Sequence, residues 1–251
     1  MKNWIFLALV MLFSPVLQAA NEPATLQWSQ RVELSVPVSG VVRSVNVNVG
    51  DQVKKGQVML ALDGTIFQAK VSEIQASSTR LVAEAAEAKK DFDRVKELYE
   101  RTVVATAELD QARLRVIKTD SLLAEAKASL RQQQKGLDDT VLRAPFDGVV
   151  VMRQVEAGMS VAVTLQAQTL FVLAKSGEMI ARLHLNEAKM DKLKIAQSVT
   201  VVSGGQNYAG KIKSLGLEPS KRDGDSTYVA DVVFSTKDQL RAGASAVVNL
   251  P

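Results

Sequence analysis

The sequence has no cysteine and one histidine, His184, in 251 residues. The absence of cysteine excludes disulfide frameworks, thiolate nucleophiles and cysteine zinc sites. A single histidine excludes a multi-histidine metal cluster, and its place in an alternating strand predicts a partly exposed structural residue. No glycine-rich phosphate loop or paired-acid cleft is recognisable. The sequence therefore predicts a protein that is not an enzyme and has no cofactor, metal site or catalytic residue.

Long runs of like charge are also missing. Lysine and arginine number 31 against 27 aspartates and glutamates, and the two signs alternate along the chain. Aromatic residues make up 5%, so no aromatic-plus-basic platform is present. Nucleic-acid binding usually needs such a clustered basic surface. The net charge of +4 therefore indicates a mixed-charge surface and no nucleic-acid partner.

The first twenty residues combine Lys2, an apolar run from Trp4 to Leu17 and the small residues Ala19 and Ala20. These are the parts of a secretory signal. The run is shorter than the ~20 residues that a membrane-spanning helix needs. We predict a cleaved signal over residues 1–20, with a retained N-terminal anchor as the alternative.

An internal repeat divides the chain. Gly40-Val41-Val42 recurs 108 positions later as Gly148-Val149-Val150, and the glycine and valine of Gly50-Asp51-Gln52-Val53 recur in Gly158-Met159-Ser160-Val161. Alternate valines in the first copy predict a strand with one buried face: Val45, Val47 and Val49. We expect the two copies to close into one sandwich, since neither can bury its valines alone.

The segment between the copies carries two heptad patterns, which predict two antiparallel helices. The turn between them is residues 101–105. Thr65 and Gln68 fit a capping box at the start, and Gly136 fits a C-terminal stop. The first seam is Phe67, Val71, Ile74, Ser78, Leu81, Ala85, Ala88, Phe92, Val95 and Tyr99. The second is Leu109, Ala112, Val116, Thr119, Leu123, Ala126, Leu130, Gln133 and Leu137.

The C-terminal third contains at least five short strands and one short helix, a pattern typical of a small barrel. The helix is expected over residues 186–194 with Asn186 as its cap, and Leu193 and Ile195 are expected to face inward. Residues 26–36 are expected to add one N-terminal strand to the barrel.

This order of elements resembles the periplasmic adaptor (membrane fusion) proteins of bacterial tripartite efflux and secretion systems, of the HlyD and RND-adaptor type. The resemblance covers nearly all of the chain after residue 20. The motifs that carry it are Val38-Ser39-Gly40-Val41-Val42, Val49-Gly50-Asp51-Gln52-Val53-Lys54-Lys55-Gly56-Gln57-Val58, Leu62-Asp63, Val141-Leu142-Arg143-Ala144-Pro145-Phe146-Asp147-Gly148-Val149-Val150 and Arg241-Ala242-Gly243.

The resemblance implies an elongated, multidomain α+β protein. It would contain a split lipoyl-like β-sandwich with an inserted antiparallel α-helical hairpin, plus a small β-barrel domain. The sequence departs from many pump-coupled relatives in one respect, because no membrane-proximal domain is expected after the barrel. The expected division is a signal at 1–20, a strand joining the barrel at 21–36, lipoyl-like halves at 37–63 and 139–176, the hairpin at 64–138 and the barrel at 177–251.

The resemblance also implies partners. Such adaptors form a ring, expected here to be six-membered, at the periplasmic side of the inner membrane. They couple an inner-membrane transporter, of RND type or alternatively ABC type, to an outer-membrane channel for efflux of small molecules. The family's hairpin tip often carries Arg-x3-Leu-x6-Ser, and here the positions are Arg94, Leu98 and Ala105.

Three alternatives stay open. One is a lipoyl or biotin carrier, although Leu62-Asp63-Gly64-Thr65, where a carrier places its modified lysine, contains none. Another is an adaptor of an ABC-type or type I secretion exporter. A metal-handling adaptor is the third, although residues 21–37 contain no methionine, histidine or cysteine as soft-metal ligands.

Overall fold

The computed structural model describes residues 20–163, 168–222 and 225–250. The signal predicted for residues 1–20 lies outside this part of the chain, apart from the backbone of Ala20. The chain divides into two compact units. Residues up to Gln30 and from Lys175 form the barrel unit, and Arg31–Ala174 form the sandwich–hairpin unit. Among the described helices, none is long and apolar enough to cross a membrane.

The sandwich consists of two four-stranded sheets in the orders β2-β9-β7-β4 and β6-β5-β3-β8. Its strands are β2 Arg31–Leu34, β3 Gly40–Val45, β4 Gln52–Val53, β5 Val58–Leu62, β6 Val141–Arg143, β7 Gly148–Arg153, β8 Ser160–Val161 and β9 Phe171–Lys175.

Each sheet mixes strands from both copies of the repeat. β3 of the first copy pairs with β8 of the second, and β7 of the second pairs with β4 of the first. These two pairings are equivalent under the 108-residue offset, because β3 matches β7 and β4 matches β8. The structure thus confirms that the two copies fold together, and it adds that they exchange edge strands.

The sandwich core is apolar and drawn from both copies, as burial of the alternating faces requires. Its largest fully buried side chains are Phe171, Met59, Leu60, Leu170, Leu173, Val42, Val150 and Val155. The prediction that the alternate valines are buried was wrong at Val49, which is 60% exposed. Strand β3 ends at Val45, and the chain then turns, with Asn48 N donating to Asp51 Oδ2 over 2.7 Å and Gly50 at φ +94°.

Helix α1 spans Thr65–Glu100 and helix α2 spans Thr106–Asp138. The predicted seams line the contact between them, with Ser78, Leu81, Ala85, Ala88 and Ala112 buried. The two helices leave the sandwich from adjacent strands, since β5, which precedes α1, pairs with β6, which follows α2, through Leu60↔Leu142. The inserted antiparallel hairpin is therefore confirmed.

Both predicted helix-end signals were wrong. No side chain caps α1, because Asp63 Oδ1 instead accepts from Thr65 N at 3.0 Å and Thr65 Oγ1 at 2.6 Å. The pKa of Asp63 is lowered by these bonds, first by the hydroxyl and then by the amide. Gly136 lies inside α2, which continues to Asp138.

The barrel has six strands in the order β10-β1-β15-β11-β12-β14, closed by pairing of β14 with β10, and β13 extends β14. The strands are β1 Ala20–Trp28, β10 Glu178–Leu185, β11 Ser198–Ser203, β12 Gln206–Leu215, β13 Ser220–Arg222, β14 Asp225–Ser235 and β15 Ser245–Leu250. Helix α3 spans Glu187–Met190, and Asn186 Oδ1 caps it as predicted by accepting from Lys189 N over 3.1 Å.

Two expectations for the barrel need correction. Residues 21–36 do not form one barrel strand: the chain leaves β1 at Trp28, and β2 pairs with β9 of the sandwich, so Leu34 and Val36 enter the sandwich core. Ile195 does not face inward but is 67% exposed. The reason is that Ala196 adopts a left-handed φ of +67° and turns the chain into β11.

Candidate functional site: the hairpin tip

The turn at the hairpin tip has a specific helix-terminating geometry. Val103 N donates to Leu98 O over 3.0 Å, and Thr102 N donates to Tyr99 O over 2.8 Å. These two bonds make a Schellman motif, which places the residue after the C-cap in the left-handed region. That residue is Thr102, at φ +59°, where glycine is usual. The tip is thus an ordered turn with a strained, β-branched residue at its centre.

The three predicted tip residues occupy different environments. Arg94 is 71% exposed and donates to Asp91 one turn below it. Leu98 is half-buried, and its carbonyl accepts from Val103 N in the turn. Ala105 is exposed at the N-cap of α2, with extended backbone and no side-chain hydrogen bond. The structure therefore places Arg94 and Ala105 on the surface near the turn, whereas Leu98 is only partly accessible.

Asp91 links the two helices below the tip. Its Oδ2 accepts from Arg115 Nη1 of α2 over 2.9 Å, and its Oδ1 accepts from Arg94. The carboxylate side chain is only 26% exposed. A carboxylate that accepts from two guanidinium groups orders both of them. Residue spacing along one helix could not have identified this pairing across the hairpin.

Apolar side chains outside the seams also reach the surface near the tip. Leu114 is 65% exposed and Ile117 is 54% exposed. A groove of about 510 Å³ runs beside them. Its apolar lining is Phe92, Leu109, Val116 and Ile117, and its charged rim is Lys89, Lys96, Asp110, Arg113 and Asp120. Phe92, Leu109 and Val116 belong to the predicted seams, whereas Leu114 and Ile117 do not. The heptad pattern therefore did not predict that these two side chains are exposed.

This arrangement offers packing and hydrogen bonding. Within the described ranges, no three histidine, cysteine, aspartate or glutamate side chains are grouped to hold a metal ion. The tip presents a guanidinium, backbone groups and apolar side chains, which suit contact with another polypeptide.

A sandwich assembled from two halves, with a helical hairpin inserted between them, defines the barrel-sandwich hybrid class. The chain belongs to the family described as CzcB-like, barrel-sandwich hybrid domain, which matches residues 30–175. It is similar to the Macrolide export protein MacA of Yersinia pestis, with 29% identity over 228 residues, covering 84% of this chain and 62% of that protein. It is also similar to the Cobalt-zinc-cadmium resistance protein CzcB of Cupriavidus metallidurans, with 27% identity over 208 residues, covering 78% and 35%.

Solved structures share the fold. The membrane fusion protein Spr0693 from Streptococcus pneumoniae R6 aligns with a TM-score of 0.71 and 18% identity, covering 93% of this chain and 99% of that one. MacA from Actinobacillus actinomycetemcomitans aligns with a TM-score of 0.67 and 20% identity, covering 93% and 79%. The chain spans about three-fifths of the Yersinia pestis MacA sequence that it matches.

Proposed function

We propose that the chain is a periplasmic adaptor that couples an inner-membrane transporter to an outer-membrane channel for efflux of small molecules. The observation that carries this proposal is the hairpin: two helices of 36 and 33 residues rise from paired strands of a CzcB-like sandwich and end in an exposed turn. At 1.5 Å per residue each helix is about 50 Å long. Such a rod suits bridging between two partners.

The names of the relatives support the efflux class. They include a macrolide export protein, a cobalt-zinc-cadmium resistance protein and the Multidrug resistance protein MdtA, which is 27% identical over 138 residues. These names span organic and metal-ion cargo, so the proposal specifies no substrate. For the inner-membrane partner we propose an RND-type transporter, with an ABC-type exporter as the alternative.

The adaptor acts through structure and not through catalysis in this proposal. Its sandwich halves and barrel pack with those of other copies into a ring, which we propose has six members. The ring lies in the periplasm against the inner membrane, and residues 1–20 direct export. Arg94, Leu98 and Ala105 at the tip contact the channel.

A carrier function has less support. In a carrier the turn between the sandwich halves presents a lysine for modification. Here Thr65 donates two hydrogen bonds to Asp63, and α1 begins at Thr65. Intact-mass measurement after expression in a lipoylating host tests this alternative. An added lipoyl or biotinyl mass would revive it, and an unmodified mass excludes it.

Site-specific photo-crosslinking at the tip tests the adaptor function. A photoreactive amino acid replaces Ala105, whose side chain makes no hydrogen bond, and the matched control replaces the exposed Lys127 of α2. We expect position 105 to capture an outer-membrane channel in cells and position 127 not to do so. Capture of only further copies of the chain at position 105 contradicts the bridge.

A further inference from the structure

One end of the barrel gathers features of a membrane-binding surface. We call this end the lysine end, after the four lysines described below. Strands β1, β11 and β14 begin at this end, and strands β10, β12 and β15 finish there. The register defines it, because Ala20 pairs with Leu250, Ser198 with Lys211 and Leu185 with Tyr228.

Two large aliphatic side chains protrude at the lysine end. Ile195 is 67% exposed in the turn before β11, and Leu217 is 93% exposed just after β12. The turn is well ordered: Ala196 N donates to Ile212 O over 2.8 Å, and Lys194 N donates to Gln197 Oε1 over 2.9 Å. The backbone therefore holds Ile195 outward and keeps it from folding back onto the core.

The chain around these side chains is basic. From Lys192 to Leu217 it contains four lysines and no acidic residue: Lys192, Lys194, Lys211 and Lys213. All four are exposed, and among the described residues none has a carboxylate within ion-pair distance. Among the acidic residues whose side chains the structure describes at this end, Glu22 pairs with Lys189 over 2.7 Å, and Glu187, Asp191 and Glu218 are exposed.

The wall beside the lysines mixes polar and apolar residues and contains no acidic residue. Strand β15, which pairs with β11, contains no charged residue. A shallow groove of about 520 Å³ lies on this wall, lined by Ser198, Thr200, Ala209, Lys211 and Asn249 among others. Hydroxyl, amide and ammonium groups together suit a phosphate-bearing headgroup.

The chain also enters the barrel at this end. If the apolar run from Trp4 to Leu17 is retained as an anchor, the alternative to cleavage, it joins the barrel here, because β1 begins at Ala20. Exposed aliphatic residues ringed by lysine are typical of membrane-interface surfaces. Protein interfaces, in contrast, are depleted in lysine and enriched in aromatic residues and arginine. We propose that the lysine end binds an anionic phospholipid surface, with Ile195 and Leu217 entering the headgroup boundary.

The absence of native cysteine allows a direct test on the full chain. A single cysteine replaces Ile195 or, as the matched control, the 65%-exposed Leu114 of the hairpin, and each carries an environment-sensitive fluorophore. Vesicles contain phosphatidylcholine alone or with added phosphatidylglycerol. We expect a blue shift at position 195 with phosphatidylglycerol vesicles and none at position 114. This comparison holds whether or not the N-terminal segment is retained, because the dye reports its own surroundings.

The charge requirement is tested with two quadruple variants of equal net charge. K192Q/K194Q/K211Q/K213Q is expected to weaken the phosphatidylglycerol-dependent response by roughly tenfold or more, since each lysine near an anionic surface contributes appreciably. K54Q/K90Q/K118Q/K127Q, all exposed and outside the barrel, is expected to retain it. Melting temperatures equal to that of the unsubstituted chain verify that both variants fold.

Several results overturn the proposal. They are no shift at position 195 with phosphatidylglycerol vesicles, an equal loss in both quadruple variants, or a shift that requires a transporter protein in the vesicles. The last outcome assigns the lysine end to a protein partner instead. The adaptor function rests on the hairpin and is unaffected by any of them.

Discussion

Substitution of one glycine in the repeat tests how closely β7 packs against β9 within the second copy. A β-carbon at Gly148 would lie 2.4 Å from Ala174 O and 3.0 Å from Leu173 Cγ. The carbonyl belongs to the neighbouring strand β9. Strands β7 and β9 would therefore have to separate to remove this steric clash. At the equivalent position of the first copy, Gly40, a β-carbon would meet only the Leu62 side chain, at 3.4 Å, an ordinary contact.

Gly148→Ala is therefore expected to destabilise the sandwich–hairpin unit by about 3 kcal/mol, the upper part of the range for overpacking. This corresponds to a melting temperature lower by roughly 6 to 12 °C. Gly40→Ala is expected to change the free energy of unfolding by less than about 1 kcal/mol, because alanine suits a strand better than glycine does. Thermal unfolding followed by circular dichroism measures both. Equal effects of the two substitutions would refute the reasoning.

Three further changes have defined outcomes. Thr102→Gly should stabilise the hairpin by about 0.5 to 1 kcal/mol by relieving the left-handed backbone, measured by denaturant unfolding; a loss of stability contradicts the strain. Lys189→Met should cost the barrel about 1 to 3 kcal/mol because it leaves the buried Glu22 carboxylate without its ion-pair partner, and an unchanged melting temperature counts against this. The pKa of Tyr208 is raised above 10.0, chiefly by its hydrogen bond to Asp238. That bond stabilises the barrel below pH ~10, and the stabilisation is lost as the pH rises through the folded-state pKa. Tyr208→Phe should therefore flatten the alkaline fall in melting temperature, and an unaltered fall opposes the assignment.

The repeat and the heptads made most of the fold predictable. Matching glycines at 40 and 148 fall at the starts of β3 and β7, because these strands are equivalent. Period-seven seams identify the two helices, since each must bury one stripe against the other. Alternation of apolar and polar residues in the last third of the sequence identifies strands of the barrel.

The errors arose where a specific neighbouring group, either local or tertiary, overrides the sequence pattern. Thr65 fits a capping box, yet the carboxylate of Asp63 competes for its amide. Gly136 fits a helix stop, yet it packs against Phe67 within a continuing helix. Ile195 fits an inward position, yet the left-handed residue after it turns the side chain outward. Each outcome depends on a backbone or side-chain partner that spacing alone does not specify.

The candidate site was less predictable than the fold. Arg94 and Ala105 are exposed, as contact residues must be, but Leu98 is half-buried. Asp91, which links Arg94 to Arg115, could not be inferred because the relevant neighbours lie 24 positions apart on opposite helices. The contribution of the three tip residues to partner binding stays a prediction.

Purification of the assembled complex tests the central claim most directly. Cells that produce the tagged chain are crosslinked, the membranes are solubilised, and the copurifying proteins are identified by mass spectrometry. We expect one complex that contains both an inner-membrane transporter and an outer-membrane channel, with several copies of the chain. Recovery of the chain without either partner, under conditions in which both are expressed, would contradict the adaptor function.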